Sequence, residues 1–84
     1  MTYAEIKSAI QPQLPAAMRR IEASGGPSEG DTQDFTAGDE TITFRCVRIR
    51  PRDFCSRTFS GAPDFLTFVW RQGDNRIHFG KWHC

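Results

Sequence analysis

The sequence predicts an α+β fold, in which an N-terminal helical segment packs on one face of a four- or five-stranded antiparallel sheet. Apolar residues recur every three or four positions near the N-terminus, and they alternate every two positions from Thr41 onward. Two strand-like runs around Gly73 and Asp74 add a C-terminal β-hairpin. Because 84 residues can close one small hydrophobic core, residues 1–84 are expected to form a single domain.

The helical segment is predicted to begin with a capping box. Thr2 is followed three residues later by Glu5, and this pair satisfies the first backbone N–H groups of a helix reciprocally. Pro12 and Pro15 interrupt the segment because proline lacks an N–H donor. Two short helices, about 3–10 and 14–24, or one kinked helix fit equally well. The predicted apolar stripe consists of Tyr3, Ile6, Ile10, Leu14, Met18 and Ile21.

Residues 24–40 are polar, glycine-rich and acidic, and Phe35 is their one large apolar side chain. This composition predicts a loop with a short edge strand around Phe35. Its acids do not follow the spacing of a calcium-binding loop, so calcium is not expected.

The strand that begins at Thr41 changes its apolar phase in the middle. Apolar residues first occupy even positions up to Cys46, and then continue on odd positions from Val47. A β-bulge near Cys46 and Val47 would return both sets to one face. The same bulge would point Arg45, Arg48 and Arg50 outward together. A further strand is predicted over residues 54–59.

The hairpin pattern sets Phe68 against Phe79 and Leu66 against Lys81 on the core face. The opposite face then carries Arg71 directly across from Arg76. The strand residues expected to meet the helices are Ile42, Phe44, Ile49, Leu66, Phe68, Trp70, Ile77 and Phe79. The partner-binding residues predicted for the outer face are Arg45, Arg48, Arg50, Arg71, Arg76, His78 and Trp82.

Charge is distributed unevenly, although the net charge is only +1. Residues 1–40 hold three basic and seven acidic residues, a net charge of −4, whereas residues 41–84 hold eight basic and three acidic residues, a net charge of +5. This asymmetry indicates either an anionic partner for the basic half or mutual neutralisation of the halves within the fold. The acidic 29–40 loop is an alternative contact surface.

Three cysteines and two histidines do not form a recognisable chemical motif. The spacing of Cys46 and Cys55, and of His78, His83 and Cys84, matches no compact zinc site, so neither a metal nor another cofactor is expected. Whether Cys46 and Cys55 pair stays open. No nucleophile elbow, zinc-protease or nucleotide-binding motif is present, and we expect a protein that is not an enzyme.

The chain lacks an apolar run of membrane-spanning length and a signal-peptide pattern, which predicts a cytoplasmic protein without membrane contact. The leading functional interpretation is a small binding or inhibitor protein that contacts an acidic protein or nucleoprotein partner. By size and fold analogy alone, this is the build of phage or mobile-element accessory proteins such as anti-CRISPR proteins. The alternative is direct nucleic-acid binding through a basic, aromatic sheet face. The oligomeric state is not predicted.

Overall fold

A helical segment precedes four strands in the part of the chain that the structure describes. The computed structural model describes residues 1–51 and 63–83. The elements are α1 (Tyr3–Ile10), α2 (Leu14–Ala23), β1 (Thr32–Ala37), β2 (Glu40–Ile49), β3 (Phe65–Gln72) and β4 (Asn75–His83). The predicted α+β class is therefore confirmed. The strand predicted over residues 54–59 lies outside the described residues.

Local sequence explains how the helical segment begins and divides. Glu5 N–H donates to Thr2 Oγ1 over 3.2 Å and Thr2 N–H donates to Glu5 Oε1 over 3.1 Å, which forms the predicted capping box. A 3-10 turn over Gln11–Gln13 joins α1 to α2. Pro12 and Pro15 each lie in the first turn of their element, where a missing N–H costs no hydrogen bond. The prolines thus divide the segment without ending it.

The four strands form one antiparallel sheet in the order β1-β2-β3-β4. Ala37 pairs with Glu40 at the β1–β2 turn, and Gln72 pairs with Asn75 at the β3–β4 turn. Gly73, with φ at +59°, occupies the second turn in a conformation that favours glycine. The predicted edge strand around Phe35 and the predicted hairpin are both present.

The predicted bulge in β2 is wrong. β2 pairs with β3 from Arg45 to Ile49 without a shift in register. Val47 and Ile49 therefore lie on the face away from the helices. The prediction that Ile49 belongs to the core is wrong. They have apolar neighbours there, because Val47 is opposite Thr67 and Ile49 is opposite Phe65. This pairing removes the reason for a bulge in β2.

The bulge occurs instead in β4. Leu66 pairs with Trp82 and Phe68 with Phe79, so Gly80 and Lys81 together lie opposite Thr67. Gly80 has φ at +77°, a left-handed conformation that costs glycine little. An extra residue at this point reverses the facing of every later side chain in β4.

Four phenylalanine rings form the centre of the core under the helices. Phe68 stacks on Phe79 at 5.0 Å between ring centroids, and Phe44 meets Phe79 edge to face at 5.3 Å. Phe35 from one edge strand reaches Phe79 from the other at 5.6 Å. Their strands are three positions apart in the sheet, about 14 Å in a flat one, so the two side chains lean toward each other across the core side. Ile6, Ile10, Ala17 and Ile21 supply the buried helical side of this core.

The two edges of the sheet differ in how they are covered. The Gln13 side-chain amide donates to Thr36 O over 2.7 Å and accepts from Thr36 N–H over 3.3 Å, as a neighbouring strand would. On the β4 edge, the Tyr3 hydroxyl donates to Arg76 O over 2.8 Å. The helical segment is thereby tied to both edge strands. In the described ranges, neither helix has the length and apolar character that a bilayer span requires.

Candidate binding face

The sheet side opposite the helices carries most of the basic side chains of β2, β3 and β4. We call this side the open face. Alternation along the strands assigns to it the side chains of Arg45, Arg71, Arg76, His78, Lys81 and His83. Asp34 is the acid that β1 adds to this side, and it accepts a hydrogen bond from the Thr43 hydroxyl over 2.7 Å.

Four of the seven predicted partner-binding residues lie close together on the open face. Arg45 and His78 both pair with Val69, from opposite sides, so the three residues form one row across the sheet. Arg71 lies directly opposite Arg76, two residues further along β3. The predicted cross-strand arginine pair is therefore present.

The other three predicted residues lie elsewhere. With no bulge in β2, Arg48 shares the helix side with Cys46, where its Nε lies 3.6 Å from Glu29 Oε1 and its Nη1 lies 4.0 Å from Asp64 Oδ2. Arg50 follows the end of β2 and is exposed. The predicted common outward face of Arg45, Arg48 and Arg50 is wrong because strictly alternating positions on an unbulged strand point to opposite sides.

The bulge in β4 places Trp82 on the helix side, so its predicted position on the outer face is wrong. The Thr67 hydroxyl lies 2.7 Å from Gly80 O and 3.1 Å from Phe79 O, and it donates its proton to these bulge carbonyls. Beyond the bulge, Trp82 packs edge to face on Phe68 at 5.8 Å, on the helix side. Lys81 takes the open face, with Nζ 4.8 Å from the Phe65 ring centroid.

Lys81 and His83 belong to the open face, although the sequence reasoning did not assign them to it. The signal that was available is Gly80, a lone glycine inside a strand pattern, which is typical of a bulge. A bulge placed there moves Lys81 and His83 onto the open face together. The same step removes Trp82 from it.

The cations of the open face are not neutralised within the described part of the chain. Arg45, Arg71, Arg76 and Lys81 have no carboxylate within 4.0 Å among residues 1–51 and 63–83. Glu29 and Asp64 pair with Arg48 on the helix side and therefore do not offset these cations. Like charges directly opposite on neighbouring strands destabilise a sheet by about 0.2–1 kcal/mol. The facing arginine pair is therefore left without an internal counter-ion there.

The surroundings of His78 change its pKa. Burial lowers the pKa of His78, and the neighbouring charges of Arg76 and Arg71 lower it further. A histidine with a lowered pKa is neutral at pH 7. The positive charge of this part of the face therefore comes from the arginines.

Several acids of the 29–40 loop are already engaged by the fold. Glu29 contacts Arg48, Asp31 accepts from Ser28 N–H over 2.8 Å, and Glu40 lies 3.9 Å from the N-terminal ammonium. These contacts use part of the loop's negative charge locally. The open face is therefore the stronger candidate for contact with a charged partner.

The remaining chemical candidates give no constellation in the described ranges. No group of three or more His, Cys, Asp or Glu side chains is placed there to hold a metal ion. Cys46 is buried on the helix side, whereas Cys55 and Cys84 lie outside the described residues. No family model, curated protein or solved structure matches this chain.

Proposed function

We propose that this protein is a small, non-enzymatic binding protein whose open face contacts an acidic surface on a larger protein or nucleoprotein. One observation carries the proposal: Arg71 faces Arg76, with Arg45 and His78 nearby, and no carboxylate lies within 4.0 Å of these arginines in the described ranges. An anionic partner would supply the missing counter-charge and relieve the cross-strand repulsion.

The surroundings of these arginines suit a protein partner. Val69 separates Arg45 from His78 in the central row, and Val47 lies on the same face, so apolar and cationic groups alternate over a short distance. Interfaces between proteins are enriched in arginine and depleted of lysine, and their centres are apolar. By occupying such a surface, the protein would block other ligands, in the manner of small inhibitors encoded by phages or mobile elements.

Direct nucleic-acid binding is the alternative, and the same unneutralised arginines favour it. The position of Trp82 disfavours it, because this ring packs on the helix side and is not on the open face as a platform for stacking bases. The net charge of +1 also gives weak long-range attraction to phosphates. Protein binding is therefore the better-supported of the two functions.

The test is the double charge reversal Arg45→Glu and Arg71→Glu. Both side chains are exposed, and a glutamate at position 71 would face Arg76 with the opposite charge, so the fold is expected to keep its stability. The matched control is Lys7→Glu with Arg19→Glu, which changes the net charge equally on exposed helical positions.

Partner capture is measured with wild type and both variants, with and without nuclease. The proposal expects nuclease-resistant capture that the open-face reversal abolishes and the helical control retains. In parallel, a labelled 20-nucleotide DNA strand is titrated at two salt concentrations. Tight oligonucleotide binding with a steep loss at higher salt would establish the nucleic-acid alternative. Equal capture by the two double variants would move the contact away from the open face.

A further inference from the structure

A concavity lies on the open face, and its lining extends along β4 from Arg76, next to the β3–β4 turn, to His83. Its volume is about 790 Å³, within the range of roughly 300–1,000 Å³ that small-molecule sites occupy. Ile49 and Phe65 form its apolar floor, and Pro51 and Pro63 bound one end. The Thr67 hydroxyl is used by the bulge carbonyls, so it adds little polarity to this floor.

Among the described residues that line the concavity, the ionisable ones all lie on one side and are all basic. Arg76, His78, Lys81 and His83 line it, and all four come from β4. No acidic residue is among the described residues that line it. The concavity therefore has an apolar side, formed by β2, β3 and the prolines, and a cationic side, formed by β4.

We propose that this concavity binds a small amphipathic organic anion, of the class of a medium-chain carboxylate. The apolar chain would lie on Ile49 and Phe65, where its burial is favourable by about 25 cal/mol per Å² of apolar surface removed from water. The carboxylate would reach the β4 side, where Lys81 stands over the Phe65 ring. This site shares Arg76 and His78 with the proposed protein contact, but it includes neither Arg45 nor Arg71.

Electrostatics at the cationic side support a negatively charged head group. Burial lowers the pKa of His78, and the nearby positive charges of Arg76 and Arg71 lower it further, so positive charges already repel one another on this side. An anion there would offset Arg76 and Lys81 through charge-assisted contacts. A cation of the same shape would add to the repulsion.

The probe is dodecanoate, titrated below its critical micelle concentration by isothermal calorimetry. Two comparison probes separate the chemistry: dodecyltrimethylammonium has the same chain and the opposite charge, and acetate has the charge without the chain. We expect saturable one-to-one binding of dodecanoate at least about tenfold tighter than that of either comparison probe, since 1.4 kcal/mol corresponds to tenfold. Equal binding of both twelve-carbon probes, or no saturable binding, would overturn the proposal.

Two variants locate the site. Lys81→Ala should weaken dodecanoate binding by about fivefold, whereas Arg45→Ala, which removes a cation outside the concavity, should leave it within about twofold. Ile49→Asp should abolish dodecanoate binding, and circular dichroism shows whether this variant is folded. If the variant is unfolded, the result with Lys81→Ala tests the proposal. Arg45→Glu alone, which leaves Arg76 and the other lining residues unchanged, should still bind dodecanoate, so a loss of partner capture and a loss of dodecanoate binding can be distinguished. Equal effects of Lys81→Ala and Arg45→Ala would refute the assignment.

Discussion

Gly80→Ala tests the bulge that determines which side chains reach the open face. A Cβ built at Gly80 lies 2.3 Å from Cη2 and 2.3 Å from Cζ3 of Trp82, far inside van der Waals contact. The ring must therefore move, and the contact with Phe68 must be lost or weakened. The backbone adds strain, because φ at this position is +77°.

The magnitude follows from these two costs. An alanine in a left-handed conformation costs about 1–2 kcal/mol. Losing an edge-to-face aromatic contact costs about 0.5–1.5 kcal/mol beyond the area exposed. Gly80→Ala should therefore lower the free energy of unfolding by about 1.5–3.5 kcal/mol, a large part of the roughly 5–15 kcal/mol typical of a domain.

Gly73→Ala is the matched control. Gly73 has φ at +59°, and a Cβ there meets nothing within 4 Å, so only the conformational cost applies. Urea unfolding followed by far-ultraviolet circular dichroism measures both variants. We expect Gly80→Ala to lose about 0.5–1.5 kcal/mol more stability than Gly73→Ala. Equal losses would mean that Trp82 does not lie against Gly80, and the assignment of Lys81 to the open face would fall with it.

Two further predictions concern the β1 edge and His78. Gln13→Ala should lower the free energy of unfolding by about 1 kcal/mol and increase self-association, because the Thr36 N–H and C=O groups lose their side-chain partner. Gln11→Ala, at an exposed position in the same turn, is the control, and both variants are compared by urea unfolding and by sedimentation. Equal behaviour of the two variants would contradict the role of Gln13 at the sheet edge. The pKa of His78 in the folded protein is below its ordinary value of 6.5, so the unfolded chain binds more protons, and the free energy of unfolding should fall as the pH drops below 6.5 through the folded pKa. His78→Gln should reduce this fall. Parallel curves of stability against pH for the wild type and the variant would contradict the prediction.

Most of the fold was predictable from local patterns. The capping box at Thr2 and Glu5, the short strand around Phe35 and the hairpin turn at Gly73 each depend on residues within a few positions of one another. Phe68 and Phe79 were placed face to face because the hairpin turn sets their register. Four of the seven predicted open-face residues followed from the same register and from strand alternation.

The remaining errors concern contacts between strands that are distant in sequence. The phase change in β2 predicts a bulge only if every apolar residue of the strand must face the helices. The sequence does not show that Ile49 lies beside Phe65, and Val47 beside Thr67, on the open face. The same limit applies to Arg48, whose position beside Glu29 and Asp64 follows from the unbulged strand.

The amino-acid sequence by itself determined the fold class, the element order and the registers near each turn, because these depend on local hydrogen bonding and on apolar periodicity. The lone glycine at position 80 is a local sign of a bulge, but only the tertiary structure decided that the bulge lies there, and therefore which face receives Lys81 and which receives Trp82. A strand has a side-chain period of two, so a single extra residue at Gly80 exchanges the two faces for everything that follows. The position of that residue is set by pairing with Thr67, a contact that forms only when β3 and β4 are together in the sheet.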